Sequence, residues 1–134
     1  MSTKTAPASS ATTEAVAHEL VDLCREGRNL EAIEKLYSPN IISIESTGSE
    51  QMPAEISGID AVRGKNEWWF ENFEVHSAET NGPFVGDGQF AVQYDFDATE
   101  KATGKRNRMV EMALYTVKNG KIVKEQFFYN STPK

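Results

Sequence analysis

The sequence predicts an α+β domain in which three N-terminal helices pack on a strongly curved mixed or antiparallel sheet, forming a cone with an internal pocket. Two observations predict it. Apolar residues recur at helical spacing through most of the first half, and from Glu74 onward they alternate with a period of two. Helices grouped ahead of a strand meander must cover its apolar face, and long strands curve around what they cover.

Thr13 can cap a first helix whose stripe is Val16, Leu20, Leu23 and Cys24, with Arg25 near its end and Gly27 as the stop. Asn29 can cap a second, short helix with Leu30, Ile33, Leu36 and Tyr37 on one side, stopped by Pro39. "IISIES", residues 41–46, is β-branched and short, hence a strand, and "TGSEQMPAEISG" after it reads as loop. Ser57 and Asp60 resemble a capping box for a third helix carrying Ile59, Val62, Trp69, Phe70 and Phe73, with Gly64, Lys65 and Asn66 as its weak middle. Trp68 and Trp69 are adjacent, so only one of them can face the core. Four strands follow, "EVHSAETN", "QFAVQYDFDATE", "NRMVEMALYTVK" and "KIVKEQFFYN", separated by turns at "GPFVGDG", "KATGK" and "KNG".

The chain has 134 residues, the size of one ordinary domain. Residues 1–12 are small, polar and Pro-containing and read as a flexible tail, leaving 13–134 as a single domain. The formal charge of -6 and the absence of a Lys/Arg cluster longer than "GKRNR" argue against nucleic acid and anionic membrane as partners. No stretch approaches the roughly 20 apolar residues of a membrane span, and the N-terminus lacks the apolar core of a secretory signal, so a cytoplasmic location is expected. One cysteine and two histidines supply no metal-ligand spacing, and no cofactor is expected.

In "FAVQYDFDA" the set Phe90, Val92, Tyr94 and Phe96 is apolar and marks the inward face, while Asp95 and Asp97 point out. A two-residue turn at Asn119-Gly120 pairs Val117 with Ile122, places Leu114 opposite Glu125 and Met112 opposite Phe127, and turns Val110, Met112 and Leu114 inward. A pairing slipped by one would put Glu111 and Ala113 beside Phe127 and Glu125 instead. Glu125 lies inside on either pairing, among Val123, Phe127 and Tyr129. A carboxylate on an apolar face is a cost or a function. On the two-residue-turn register Met109, Glu111, Tyr115 and Val117 form a largely apolar outer face, from which a homodimer through the sheet is expected.

This element order, together with "REGRNLEAIEKLYSPNIISIE", the glycine-started helix "SGIDAVR" and the closing "NGKIVKEQFFY", resembles the nuclear transport factor 2-like superfamily, in its SnoaL-like and ketosteroid isomerase-like branch. The likeness spans roughly residues 13–130. It implies a small-molecule-binding domain, and for some members a cofactor-free isomerase, cyclase or dehydratase acting on a small apolar carbonyl or cyclic compound. It also places Glu45 where ketosteroid isomerases carry their catalytic base. The positions nearest that family's oxyanion-holding tyrosine and protonated aspartate read Val21 and Leu114 or Ala113, so its oxyanion hole is not expected. The expected catalytic pair is therefore Glu45 and Glu125, with Tyr94, Tyr129, Phe127, Met112, Trp69 and His76 lining the ligand. The competing expectation is a non-catalytic ligand-binding or dimeric accessory domain in which Glu125 is already hydrogen-bonded on both oxygens.

Overall fold

The structure, a computed structural model, describes residues 8–49 and 53–130, with side chains from Thr12 onward. Helix α1 (Ala8–Arg25) begins ahead of Thr13, which is buried along the helix instead of capping it. Of the stretch expected as a tail, residues 8–12 are thus helical, and 1–7 lie outside the described residues. Gly27 takes φ 75° and closes the helix: its N–H donates to the Cys24 carbonyl and that of Arg28 to the Leu23 carbonyl, the paired bonds of a left-handed glycine stop.

Helix α2 (Asn29–Leu36) lacks a side-chain cap; the Asn29 amide instead donates to the Cys24 sulfur at 3.6 Å. It ends before Tyr37, because Ser38 precedes a proline and is steered into extended geometry. Tyr37 therefore opens strand β1 (Tyr37–Ile44) and points into the core beside Ile41 and Ser43. Strand β2 (Glu55–Ser57) lies in the stretch expected to be loop and pairs with β1. Helix α3 (Ile59–Asn72) starts after Gly58, whose φ of 96° suits glycine alone; no capping box forms, and Asp60 bonds Arg63. Trp69 turns in and stacks on Phe73, leaving Trp68 half-exposed.

Strands β3 (Phe73–Val85), β4 (Gln89–Glu100), β5 (Arg106–Lys118) and β6 (Lys121–Phe128) complete an open six-stranded sheet in the order β2-β1-β6-β5-β4-β3. β1 and β6 are parallel and the other pairs antiparallel. β3 runs on into the stretch "GPFVGDG" as far as Val85, leaving residues 86–88 as the turn, which an edge strand permits because Pro83 need not donate to a neighbour. Three helices on this open mixed sheet form an α+β cone, with the core between α1, α2 and the inner faces of β1, β4, β5 and β6.

The β5–β6 register corrects the expectation that mattered most. Asn119 and Gly120, at φ 54° and 77°, do make the two-residue turn, and Val117 does pair with Ile122. Val123 is then an extra residue on β6, so Thr116 pairs with Lys124, Tyr115 with Glu125 and Ala113 with Phe127. Neither expected pairing is therefore adopted: the bulge slips the register by one in the other sense, which puts Ala113 and Tyr115, not Glu111 and Ala113, opposite Phe127 and Glu125. Its cause is burial: Val117, Ile122, Tyr115 and Glu125 are all interior, and strict alternation from Ile122 would put Glu125 outside. Glu111, Ala113, Tyr115 and Val117 consequently line the inner side, while Val110 and Met112, expected inside, are exposed. Asp95 and Asp97 face outward as expected and pair with Arg108 and Arg106 of the neighbouring strand.

Candidate functional site

The inward carboxylates meet at one place, where β1 and β6 run parallel and α3 crosses them. Ser43 lies directly opposite Glu125 in the β1–β6 register, and Glu45 follows two residues later on the same side of the chain. Glu125 is 1% exposed, with both oxygens engaged: the Tyr37 hydroxyl donates to Oε1 and the Ser43 hydroxyl to Oε2 at 2.7 Å. Lys65 reaches in from α3. Its Nζ donates to Ser43 Oγ at 2.7 Å and to Glu45 Oε2 at 2.6 Å, lies 3.9 Å from Glu125 Oε2, and sits 5.0 Å from the centroid of the Phe127 ring. The Tyr129 hydroxyl donates to the other Glu45 oxygen at 2.8 Å. Tyr37, Ser43, Glu125, Lys65, Glu45 and Tyr129 thus form one continuous polar network within the cone.

Glu111 enters from β5, directly opposite Tyr94 of β4 and on the same inner face. Burial pushes its carboxyl up to about 7, the neighbouring Glu45 and Glu125 charges add to the rise, and Lys65 opposes it. Burial also raises the Glu125 carboxyl, but Lys65 and the hydroxyls of Tyr37 and Ser43 work against that rise. Burial keeps Tyr37, Tyr94 and Tyr115 protonated well beyond the ordinary phenol range, so they remain donors. Burial pushes the Tyr129 phenol up to about 12, helped by Glu45, and the Cys24 thiol up to about 11, which makes the thiol unreactive at neutral pH.

A second polar string lies deeper: the hydroxyls of Tyr94 and Tyr115 are 2.6 Å apart, and Cys24 Sγ lies 3.8 Å from Tyr94. One turn further along α3 from Lys65, Trp69 stacks on Phe73 and tilts against Phe96 of β4. An open depression of about 520 Å³ lies at the end of the sheet, lined by Ser46, Val110, Phe128, Tyr129 and Asn130, and Tyr129 connects it to Glu45.

Of the residues expected to form the site, Glu45, Glu125, Tyr129 and Phe127 are brought together around Lys65, while Trp69 lies a turn further along α3 against Phe73 and Phe96. Tyr94 lies inside but bonds Tyr115 and not Glu125. Met112 does not face this side; the bulge leaves it on the outer face, opposite Phe128. His76 is exposed on β3 and bonds the Thr99 hydroxyl. Of the positions read for an oxyanion hole, Val21 and Ala113 are buried and apolar. Sequence reasoning did not place Lys65, Tyr37, Ser43 or Tyr115 here. Lys65 did leave a signal: it sits three residues after Val62 and four before Trp69, so a cation occupied the apolar stripe of α3. Among the described residues no group of His, Cys, Asp and Glu side chains has the makings of a metal site.

Residues 11–129 match the model of the SnoaL-like domain. The chain belongs to the SnoaL-like domain family. A crystal structure from Mesorhizobium loti, provisionally named as a SnoaL-like polyketide cyclase and also as a carbohydrate phosphatase, is 43% identical and superposes with a TM-score of 0.82, covering 87% of this chain and 97% of that one. A provisionally named isomerase from Bacillus subtilis is 16% identical (TM-score 0.69, covering 90% and 87%), and AclR from Streptomyces galilaeus, provisionally a hydroxylase, is 20% identical (TM-score 0.68, covering 93% of both). At such identities the last two show the SnoaL-like fold alone. No curated protein matches the chain. No helix among the described residues is long and apolar enough to cross a membrane.

Proposed function

We propose that this SnoaL-like domain binds a small, mostly apolar compound bearing a carbonyl or ring oxygen and carries out cofactor-free proton transfer on it. The observation that carries the reading is the polar network around Lys65. Carboxyl groups are gathered, partly or wholly out of water, around a lysine that lies against the ring of Phe127. Proton transfer needs such a group within reach of a ligand, and aromatic rings supply apolar area for a flat one. In this reading Glu45 is the base at the solvent-facing side of the network. Glu125, with both oxygens taken, orients Ser43 and Tyr37.

The same double satisfaction of Glu125 favours a second reading, a SnoaL-like binding or accessory domain whose acids only organise the core. A titration of the ¹⁵N-labelled protein with cyclohex-2-enone tests whether the network lines a ligand site at all, and loss of deuterium from the α-deuterated ketone then separates proton transfer from binding alone. Shifts confined to the Trp69 indole and to amides around Lys65, Glu45 and Phe127 are expected for the ligand site. Scattered or absent shifts would leave the accessory reading.

We also propose a homodimer through the sheet, carried by other residues than the sequence suggested. Val110, Met112, Phe128 and Ile42 stand 36–49% exposed on the outer face, with Met112 directly opposite Phe128. Sedimentation velocity is expected to give a dimer for the wild type and a monomer for Met112→Lys combined with Phe128→Lys. A wild type that sediments as a monomer at high concentration would remove the proposal.

A further inference from the structure

The open depression at the end of the sheet takes its lining from both faces. Tyr129 reaches inward and donates to Glu45, whereas Val110 and Phe128 stand half-exposed on the outer face. The rim is fixed: the Ser46 hydroxyl donates to the Phe127 carbonyl at 2.9 Å and accepts from the Tyr129 N–H at 3.1 Å, tying the chain after β1 to the end of β6. The outer wall continues into the proposed dimer face, because Val110 and Met112 share one side of β5 and Phe128 lies directly opposite Met112. One chain thus supplies only part of an enclosure. Small-molecule sites cover roughly 70–90% of a ligand's surface, which an open depression cannot do alone. We infer that a second copy of this chain supplies the missing wall, so that the ligand site is composite and sits at the boundary between two subunits. This rests on the proposed ligand-binding and homodimer readings and adds to them that each event strengthens the other.

The charges on this face select a second copy as the occupant. The chain carries a formal charge of -6, so two copies repel one another at long range. On the outer face, however, the acids of β4 are matched within the chain. Arg108 donates to both oxygens of Asp95 at 2.9 and 2.6 Å, and Arg106 to both of Asp97 at 2.9 and 2.8 Å. These pairs offer no unmatched cation to an anionic partner and no unmatched acid to repel an identical strand pair, so the apolar patch decides what binds. A twofold pair presents the same patch from both sides, so each copy walls the depression of the other and two equivalent sites form. A flat ring seated there rests on Val110 and Phe128 of one protomer and on the outer face of its partner, with its polar end towards Tyr129. A ligand that binds the pair and not the single chain tightens the pair by mass action, and the pair tightens the ligand by the same factor.

Sedimentation equilibrium of the wild type over a dilution series, without and with cyclohex-2-enone at about ten times its dissociation constant, tests the linkage. The dimer dissociation constant is expected to fall at least about tenfold, the factor that one site present only in the dimer imposes at that concentration. An unchanged constant would mean that one chain completes the depression, and a raised one that the second copy fills it; either overturns the composite site. The converse is read in Met112→Lys combined with Ile42→Lys, which charges the dimer face at two exposed positions that do not line the depression. The amide spectrum of this variant is expected to keep its wild-type pattern in the helices, and its affinity for the probe to fall at least about tenfold. Undiminished affinity in a folded, monomeric variant would also overturn the inference. A wild type that stays monomeric, yet shows probe-induced shifts around Lys65 and Glu45, removes the composite site and the homodimer and leaves the ligand-binding reading. A dimer in which no amide responds to the probe removes the composite site together with that reading.

Discussion

Replacing Lys65 by methionine is expected to lower stability by about 3–5 kcal/mol at pH 8, the cost of removing one partner from a buried ion pair. The lysine side chain is 13% exposed and that of Glu45 21%, so solvent screening offers little relief. Methionine fills a similar volume beside Phe127 but donates nothing to Ser43 or Glu45, and it leaves Glu125 without its nearby cation. The loss should shrink near pH 5. Without Lys65 the Glu111 and Glu125 carboxyls move up further, and a carboxyl that is neutral when buried needs no counter-ion. Adding Glu45→Gln should recover part of the loss, since the two residues are coupled. Urea unfolding at both pH values measures this. A loss below about 1 kcal/mol would class the pair with surface salt bridges.

The second large effect runs the other way. Glu111→Gln is expected to stabilise the protein at pH 8 and to remove much of the decline in stability with rising pH. The carboxyl rises from 4.5 to about 7 on folding, so the folded state holds its proton more tightly than the unfolded chain. Stability from this group is therefore full below about pH 4.5, falls as pH rises towards 7 and is level above it. Over that window the change is about 3 kcal/mol. The raised Glu125 carboxyl adds a decline of the same sign. Asp95 and Asp97, which Arg108 and Arg106 hold below the usual carboxylate range, act in the opposite sense and at lower pH. Glutamine keeps the shape and a donor and cannot ionise. Thermal unfolding from pH 5 to pH 8.5 should show a falling Tm for the wild type and a flatter profile for Glu111→Gln. A wild-type profile that rises across this range would contradict the raised Glu111 carboxyl.

In the proposed reading, a residue that is costly in the resting fold, as Glu111 is, would exchange stability for function. Glu125 is the contrary case. It is buried more deeply than Glu111, yet Tyr37 and Ser43 supply both its oxygens with donors, so its replacement should disturb the fold before it disturbs any chemistry.

Much of the architecture was legible because each element carries its own local physics. Gly27 closed α1 and Gly58 opened α3 through backbone conformations that other residues rarely adopt, and the alternation in "FAVQYDFDA" assigned the inner face of β4 correctly. The loop reading of 55–57 failed because three residues are too few for a periodic signal, and β2 exists only through its pairing with β1. Tyr37 was assigned to the helix stripe because its spacing from Ile33 is helical, whereas the geometry imposed by Pro39 ended the helix first.

By itself, then, the sequence determined the α+β class, the order of helices and strands, the turn at Asn119-Gly120 and the inward position of Glu125, since these follow from periodicity and from residues with restricted backbones. Only the tertiary structure decided which acids share a site. The extra residue Val123 shifts one pairing and carries Glu111 in and Met112 out, while the approach of α3 delivers Lys65 to Glu45 and Ser43. Both outcomes arise because Val117, Ile122, Tyr115 and Glu125 must all be buried at once, a packing condition across strands and helices that is written in no single segment.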